Sequence, residues 1–132
     1  SERIALYQEL DSIERPSDLK AFEERLVDRF GRIPDAAREL LRVPMLRRYA
    51  RKLGIEKVVM KQGSMFLFFV DDSNKAYYQS PMFGRLLNYL QANPQRVHIR
   101  ERNGRRSFAV DRVPMVSQAV DMLRGILELD AI

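Results

Sequence analysis

Ile55-Glu56-Lys57-Val58-Val59-Met60-Lys61-Gln62-Gly63-Ser64-Met65-Phe66-Leu67-Phe68-Phe69-Val70 decides the fold. Ahead of Gly54 the apolar residues recur every three or four positions, the repeat of a helix face; after it the period shortens to two, the repeat of a strand. Ile55 to Lys61 and Met65 to Val70 therefore predict two strands joined as a hairpin through Gln62-Gly63-Ser64. Both faces of Met65 to Val70 are apolar. That predicts a central strand buried between helices rather than a face awaiting a partner, since five helices are expected to cover the sheet.

Upstream, three helical stretches are expected. Arg3 to Glu14 gathers Ile4, Leu6, Tyr7, Leu10 and Ile13 on one face, and Pro16 stops it. Ser17 is the expected N-cap of a second helix with Leu19, Phe22, Leu26, Val27 and Phe30 as its stripe, closed by Gly31. A third runs from Pro34-Asp35 to Leu53, carries Ala37, Leu40, Leu41, Leu46, Tyr49, Ala50 and Leu53, and ends at Gly54. Pro44 in its middle predicts a kink or two abutting helices.

Downstream, Asp71-Asp72-Ser73-Asn74 reads as a turn and Lys75 to Gln79 as a further short strand. Ser80-Pro81 opens an amphipathic helix, Met82 to Ala92. Val97 to Arg102 and Arg105 to Val110 flank Asn103-Gly104, a strong hairpin signal. A last helix, Pro114 to Leu129, buries Val116, Ala119, Val120, Leu123 and Leu127. The expected fold is one α+β domain spanning 1–132: a helical N-terminal half, then antiparallel β-hairpins packed against two further helices.

The 132 residues carry 23 Lys+Arg against 18 Asp+Glu, one His and no Cys. Without cysteine there is no disulfide framework, thiolate nucleophile or zinc ribbon, and a cytoplasmic setting is expected. No apolar run approaches the roughly 20 residues of a membrane span. The chain opens on Ser1-Glu2-Arg3-Ile4 rather than Met, which reads as a piece excised from a longer protein.

Candidates for catalysis are few. His98 stands in an alternating strand with no second ligand type near it in sequence, and reads as a half-exposed strand residue. Asp71 and Asp72 suit a turn better than a magnesium site. The isolated glycines form neither a dinucleotide fingerprint nor a Walker loop. No enzyme, cofactor or metal is expected.

Two basic clusters stand out: Arg47, Arg48, Arg51 and Lys52, then Arg96, Arg100, Arg102, Arg105 and Arg106. They suit either a phosphate footprint or a solvated surface. No aromatic residues interleave with them along the chain, as a single-strand binder requires, so the solvated surface is expected and nucleic acid is the alternative partner.

Glu23-Glu24-Arg25-Leu26-Val27-Asp28-Arg29-Phe30-Gly31-Arg32-Ile33-Pro34, with a D-R-F-G-x-x-P core from Asp28 to Pro34, resembles the E-x-D-R-F-G-x-x-P segment of the carboxy-terminal domain of the bacterial transcription-repair coupling factor. Its flanks agree: Arg3-Ile4-Ala5-Leu6-Tyr7-Gln8-Glu9-Leu10 resembles the family's R-x-x-L/A-Y-x-x-L helix, and Leu46-Arg47-Arg48-Tyr49-Ala50-Arg51-Lys52-Leu53-Gly54-Ile55 its L-R-x-x-A-x-x-L-G-I element. The resemblance covers residues 3 to about 58; beyond that it is one of pattern alone.

That family's parent is an ATP-driven DNA translocase, which displaces stalled RNA polymerase and recruits nucleotide excision repair. The resemblance implies a motorless autoinhibitory domain. It would dock on the parent's UvrB-like module and mask the surface that binds UvrA. It places the contact on the second helix, with Asp28 foremost and Glu24, Arg25, Arg29 and Arg32 around it. Arg25 stands where the family often has an acid, and Glu24 points about 100° away from that position on a helix. A local alternative pairs Asp28 with Arg32 at i+4. Phe30 and Gly31 are expected to be a core anchor and a helix cap.

Overall fold

A computed structural model describes residues 1–128. Its elements run α1 (Glu2–Ser12), α2 (Pro16–Phe30), α3 (Asp35–Leu41), α4 (Val43–Lys52), β1 (Ile55–Lys61), β2 (Ser64–Phe69), α5 (Lys75–Tyr78), α6 (Pro81–Ala92), β3 (Val97–Arg102), β4 (Arg105–Val110) and α7 (Val116–Leu127). The α+β class and both hairpins are as the sequence predicts, and Leu129, the expected end of the last helix, lies outside the described residues.

The strands pair antiparallel in the order β1-β2-β4-β3. Asn103 and Gly104 link β3 to β4 with φ of 54° and 77°, the double left-handed geometry of a two-residue hairpin turn. β2 and β4 form the centre. Met65, Leu67 and Phe69 on β2, with Phe108 and Val110 on β4, enter the core beside Leu86 of α6, Leu123 of α7 and Tyr49 of α4. Phe69 binds this layer through edge-on contacts to Phe83 at 5.8 Å and Phe108 at 4.8 Å.

Among the described residues, helices cover only one face of the sheet. Phe66 and Phe68 alternate with the core residues of β2 and stay half-buried on the other face, so the expected burial on both sides is corrected. Hydrophobicity alone misled here, because the outer rings are bordered by cations. Lys57 Nζ lies 5.6 Å from the Phe68 ring centroid and the Arg100 guanidinium carbon 5.7 Å from that of Phe66.

The third helical stretch divides at Arg42, two residues before Pro44, into α3 and α4. The α3–α4 join is braced by Glu23 of α2, whose carboxylate lies 2.9 Å from Arg42 Nη1 and 3.6 Å from Arg38 Nε. Glu39 of α3 reaches α7: its Oε1 accepts from Val116 N–H at 2.7 Å and its Oε2 from Ser117 N–H at 3.2 Å.

Several expectations fail for local reasons. Lys75 to Gln79 is not a strand: Asn74 Oδ1 accepts from Tyr77 N–H at 3.2 Å and caps the short helix α5. Tyr77 and Tyr78 then send their hydroxyls to Leu53 O at 2.6 Å and Val70 O at 2.5 Å. Pro16, not Ser17, opens α2, since its fixed φ suits a first helical position. Phe30 is no core anchor. It is 60% exposed, as are Ile4 at 56%, Tyr7 at 59%, Leu40 at 69% and, less so, Val27 at 37%. These side chains sit on α1, α2 and α3, which have no further layer to pack against among the described residues.

Candidate docking surface

α1 is lightly held. Leu10 is its one buried residue, helped by half-buried Leu6 and by Ile13 just past the helix end. Arg25 and Arg29 of α2 pair with Glu9 and Glu2 of α1, so two of the predicted contact residues serve to clasp the two helices together. Arg48 adds a third tie, with Nη1 on Glu14 at 3.0 Å and Nη2 donating to Asp11 O at 2.7 Å. This arginine of the first basic cluster is therefore structural.

Between α1 and α2 lies an apolar groove of about 420 Å³, floored by Leu10 and Phe22 and bordered by Leu6, Leu26, Tyr7 and Phe30. Among the described residues, five of the seven large exposed apolar side chains, Ile4, Tyr7, Val27, Phe30 and Leu40, belong to α1, α2 and α3. Exposed apolar side chains on these three helices make them the candidate contact region.

Asp28 and Glu24 are one turn apart on α2, exposed, and neither forms an ion pair among the described residues. The local alternative, an Asp28–Arg32 pair, does not form. α2 stops at Phe30, and Gly31, at φ 85°, turns the chain away, so Arg32 never occupies the next helical turn. Asp28 thus sits near the negative end of a helix, beside a like charge. Local physics opposes both placements. A cationic partner would relieve both at once.

The basic clusters divide in the same manner. Arg96 is consumed by Asp111 O at 2.9 Å and Arg112 O at 3.0 Å, and Arg105 by Glu56 at 2.6 Å. Arg47, Arg51, Lys52, Arg100, Arg102 and Arg106 are exposed and make no ion pair among the described residues. Arg47, Arg51 and Lys57 line one cleft between α4 and β1. Two arginines of the second cluster, Arg100 and Arg105, do have aromatic company, contrary to the reading along the chain. Phe66 and Phe68 reach them through the sheet, and only the β2–β4 pairing reveals it.

His98 Nε2 meets Asp111 Oδ2 at 3.2 Å on the strand edge, and Asp71 Oδ1 accepts from Ser73 N–H at 2.8 Å. The Ser73 hydrogen bonds hold Asp71 below the ordinary carboxylate range. Among the described residues no three His, Asp or Glu converge on one point, and no helix is long and apolar enough to cross a membrane.

Residues 1–80 match the TRCF domain family. Over 93 residues, 70% of this chain, the sequence is 32% identical to the transcription-repair-coupling factor of Escherichia coli (strain K12); the match spans 8% of that protein's length. The fold is similar to the crystal structure of the C-terminal domain of transcription-repair coupling factor, with a TM-score of 0.65 over 96% of this chain and 81% of that one, at 18% identity. The matched segment contains the D-R-F-G-x-x-P core, both flanking elements and the whole α1–α2 surface, and the chain belongs to the TRCF domain family.

Proposed function

We propose that this domain is a non-catalytic regulatory module of transcription-repair coupling, which docks through α1 and α2 on the UvrB-like module of its own parent chain. Docked there, it masks the surface that UvrA binds and couples motor engagement on stalled RNA polymerase to recruitment of repair. The parent supplies the ATP-driven translocase; this domain contributes a contact, in the cytoplasm. The observation that carries the reading is Asp28 and Glu24 standing unpaired one turn apart on the solvent face of α2, opposite its groove-lining residues Phe22, Leu26 and Phe30. Two partnerless carboxylates on that face supply orientation toward arginines on the module.

The test is a binding titration of this domain against the separately expressed UvrB-like module. Saturable binding that Asp28→Arg weakens at least tenfold supports the docking, and the same substitution in the full-length parent should raise UvrA capture. Binding that ignores the reversal removes Asp28 from the contact.

A further inference from the structure

The open face of the sheet combines rings and cations in a pattern that the docking reading leaves unused. On β2, Phe66 and Phe68 point outward two residues apart, roughly 6.6–6.8 Å along the strand. Cations border both rings. Lys57 Nζ and the Arg105 guanidinium carbon lie 5.6 and 5.8 Å from the Phe68 centroid, and the Arg100 guanidinium carbon lies 5.7 Å from that of Phe66. Between the β2 rings and the β3 row of His98 and Arg100 stand the small β4 residues Ser107 and Ala109, which leave the larger neighbours to form the surface. Arg102, directly opposite Arg105, and Lys61, opposite Ser64, extend the positive charge along the same face.

We infer that this face binds single-stranded DNA, with successive bases stacking on Phe66 and Phe68 and phosphates held by Lys57, Lys61, Arg100 and Arg102. A single strand presents a flat ring and a negative charge in each nucleotide, the alternation that this surface complements. A duplex hides its ring faces, and an acidic peptide has charge without rings. Ribose is not selected: the Ser107 hydroxyl is buried, and that of Ser64 is directed to Asp111 Oδ1 at 3.4 Å. The cleft lined by Arg47, Arg51 and Lys57 continues the charge from β1 onto α4, a path for the rest of the strand. The face lies on β1 to β4, apart from Asp28, and stands whether or not α1 and α2 dock.

The experiment is fluorescence anisotropy of a labelled oligothymidine of about 12 nucleotides titrated with the 132-residue chain at low salt. Saturable binding that falls steeply with salt is expected. Replacing both rings, Phe66→Leu with Phe68→Leu, keeps apolar bulk and should weaken binding about tenfold or more. Exposed Arg102→Ala, which leaves the core untouched, should weaken it and lower the salt slope by about one. Asp28→Arg should not weaken it. No binding at low salt, equal affinity for duplex, tighter binding of the matching RNA, equal competition by polyglutamate, or indifference to both substitutions would each overturn the proposal.

Discussion

Glu39 caps a helix 77 residues away: its carboxylate accepts from the backbone N–H of Val116 at 2.7 Å, and its second oxygen from Ser117 at 3.2 Å. The first N–H groups of a helix have no partner within it, and a carboxylate there also meets the positive end of the dipole. α7 lacks a Ser, Thr, Asp or Asn at its N-cap position, which Met115 occupies, so α3 supplies the carboxylate instead. Glu39→Ala should lower stability by about 1–2 kcal/mol in urea unfolding. An unchanged midpoint would mean that water replaces the carboxylate without loss.

Asp28→Arg should leave unfolding unchanged or slightly improved, within about 0.5 kcal/mol, because it removes a like charge from Glu24 and places a cation near the end of α2. Urea midpoints of the two forms check this. A marked loss of stability would show that Asp28 has a structural role and would undercut its use as a docking probe.

Two glycine-to-alanine changes should have opposite signs. At Gly54, φ is 78° and an added Cβ would lie 1.9 Å from Tyr77 Cε1, within a ring pinned by its hydroxyl to Leu53 O. Gly54→Ala should cost more than about 2 kcal/mol. Gly125 is in the last turn of α7 with no atom of the described residues within 4 Å of an added Cβ, so Gly125→Ala should stabilise by about 0.5–1 kcal/mol. Thermal unfolding of the pair reads both signs.

Alkaline pH should destabilise the domain through its buried phenols. Burial pushes the phenols of Tyr49, Tyr77 and Tyr78 up, Tyr77 furthest. A folded-state value above the unfolded one, about 10, means the native state keeps protons that the unfolded chain releases. Stability from these groups is therefore full below about pH 10 and falls as pH climbs beyond it. Urea midpoints between pH 8 and 11 should show a flat region and then a decline, shallower in Tyr77→Phe. A decline of equal slope in that variant would assign the effect to other groups.

Elements with strong local signals were legible in the sequence: the two hairpins, the break at Pro44 and the Ser80-Pro81 helix start. What escaped depended on distant partners. Lys75 to Gln79 alternates like a strand, but the Asn74 cap and the Tyr77 and Tyr78 hydroxyls favour a helix. Helical periodicity placed Phe30 and Leu40 on apolar stripes without showing that no layer covers them. The D-R-F-G-x-x-P core marked α2 as the place of interest, yet the Arg25 and Arg29 ties to α1 needed both helices in space. Phe66 and the Arg100 above it are 34 residues apart, and only strand order joins them.

The shallow seat of α1 has a consequence for timing. With Leu10 alone buried and exposed ion pairs as its main fastening, α1 is the segment whose amides should exchange with solvent ahead of those in β2, β4 and α7. Those ion pairs weaken with ionic strength while the core does not. A ligand filling the groove beside Phe30 would therefore also immobilise α1, and part of its affinity would be spent on that ordering. Contact at this surface would thus loosen in salt twice over, through the partner's charges and through the domain's own opening.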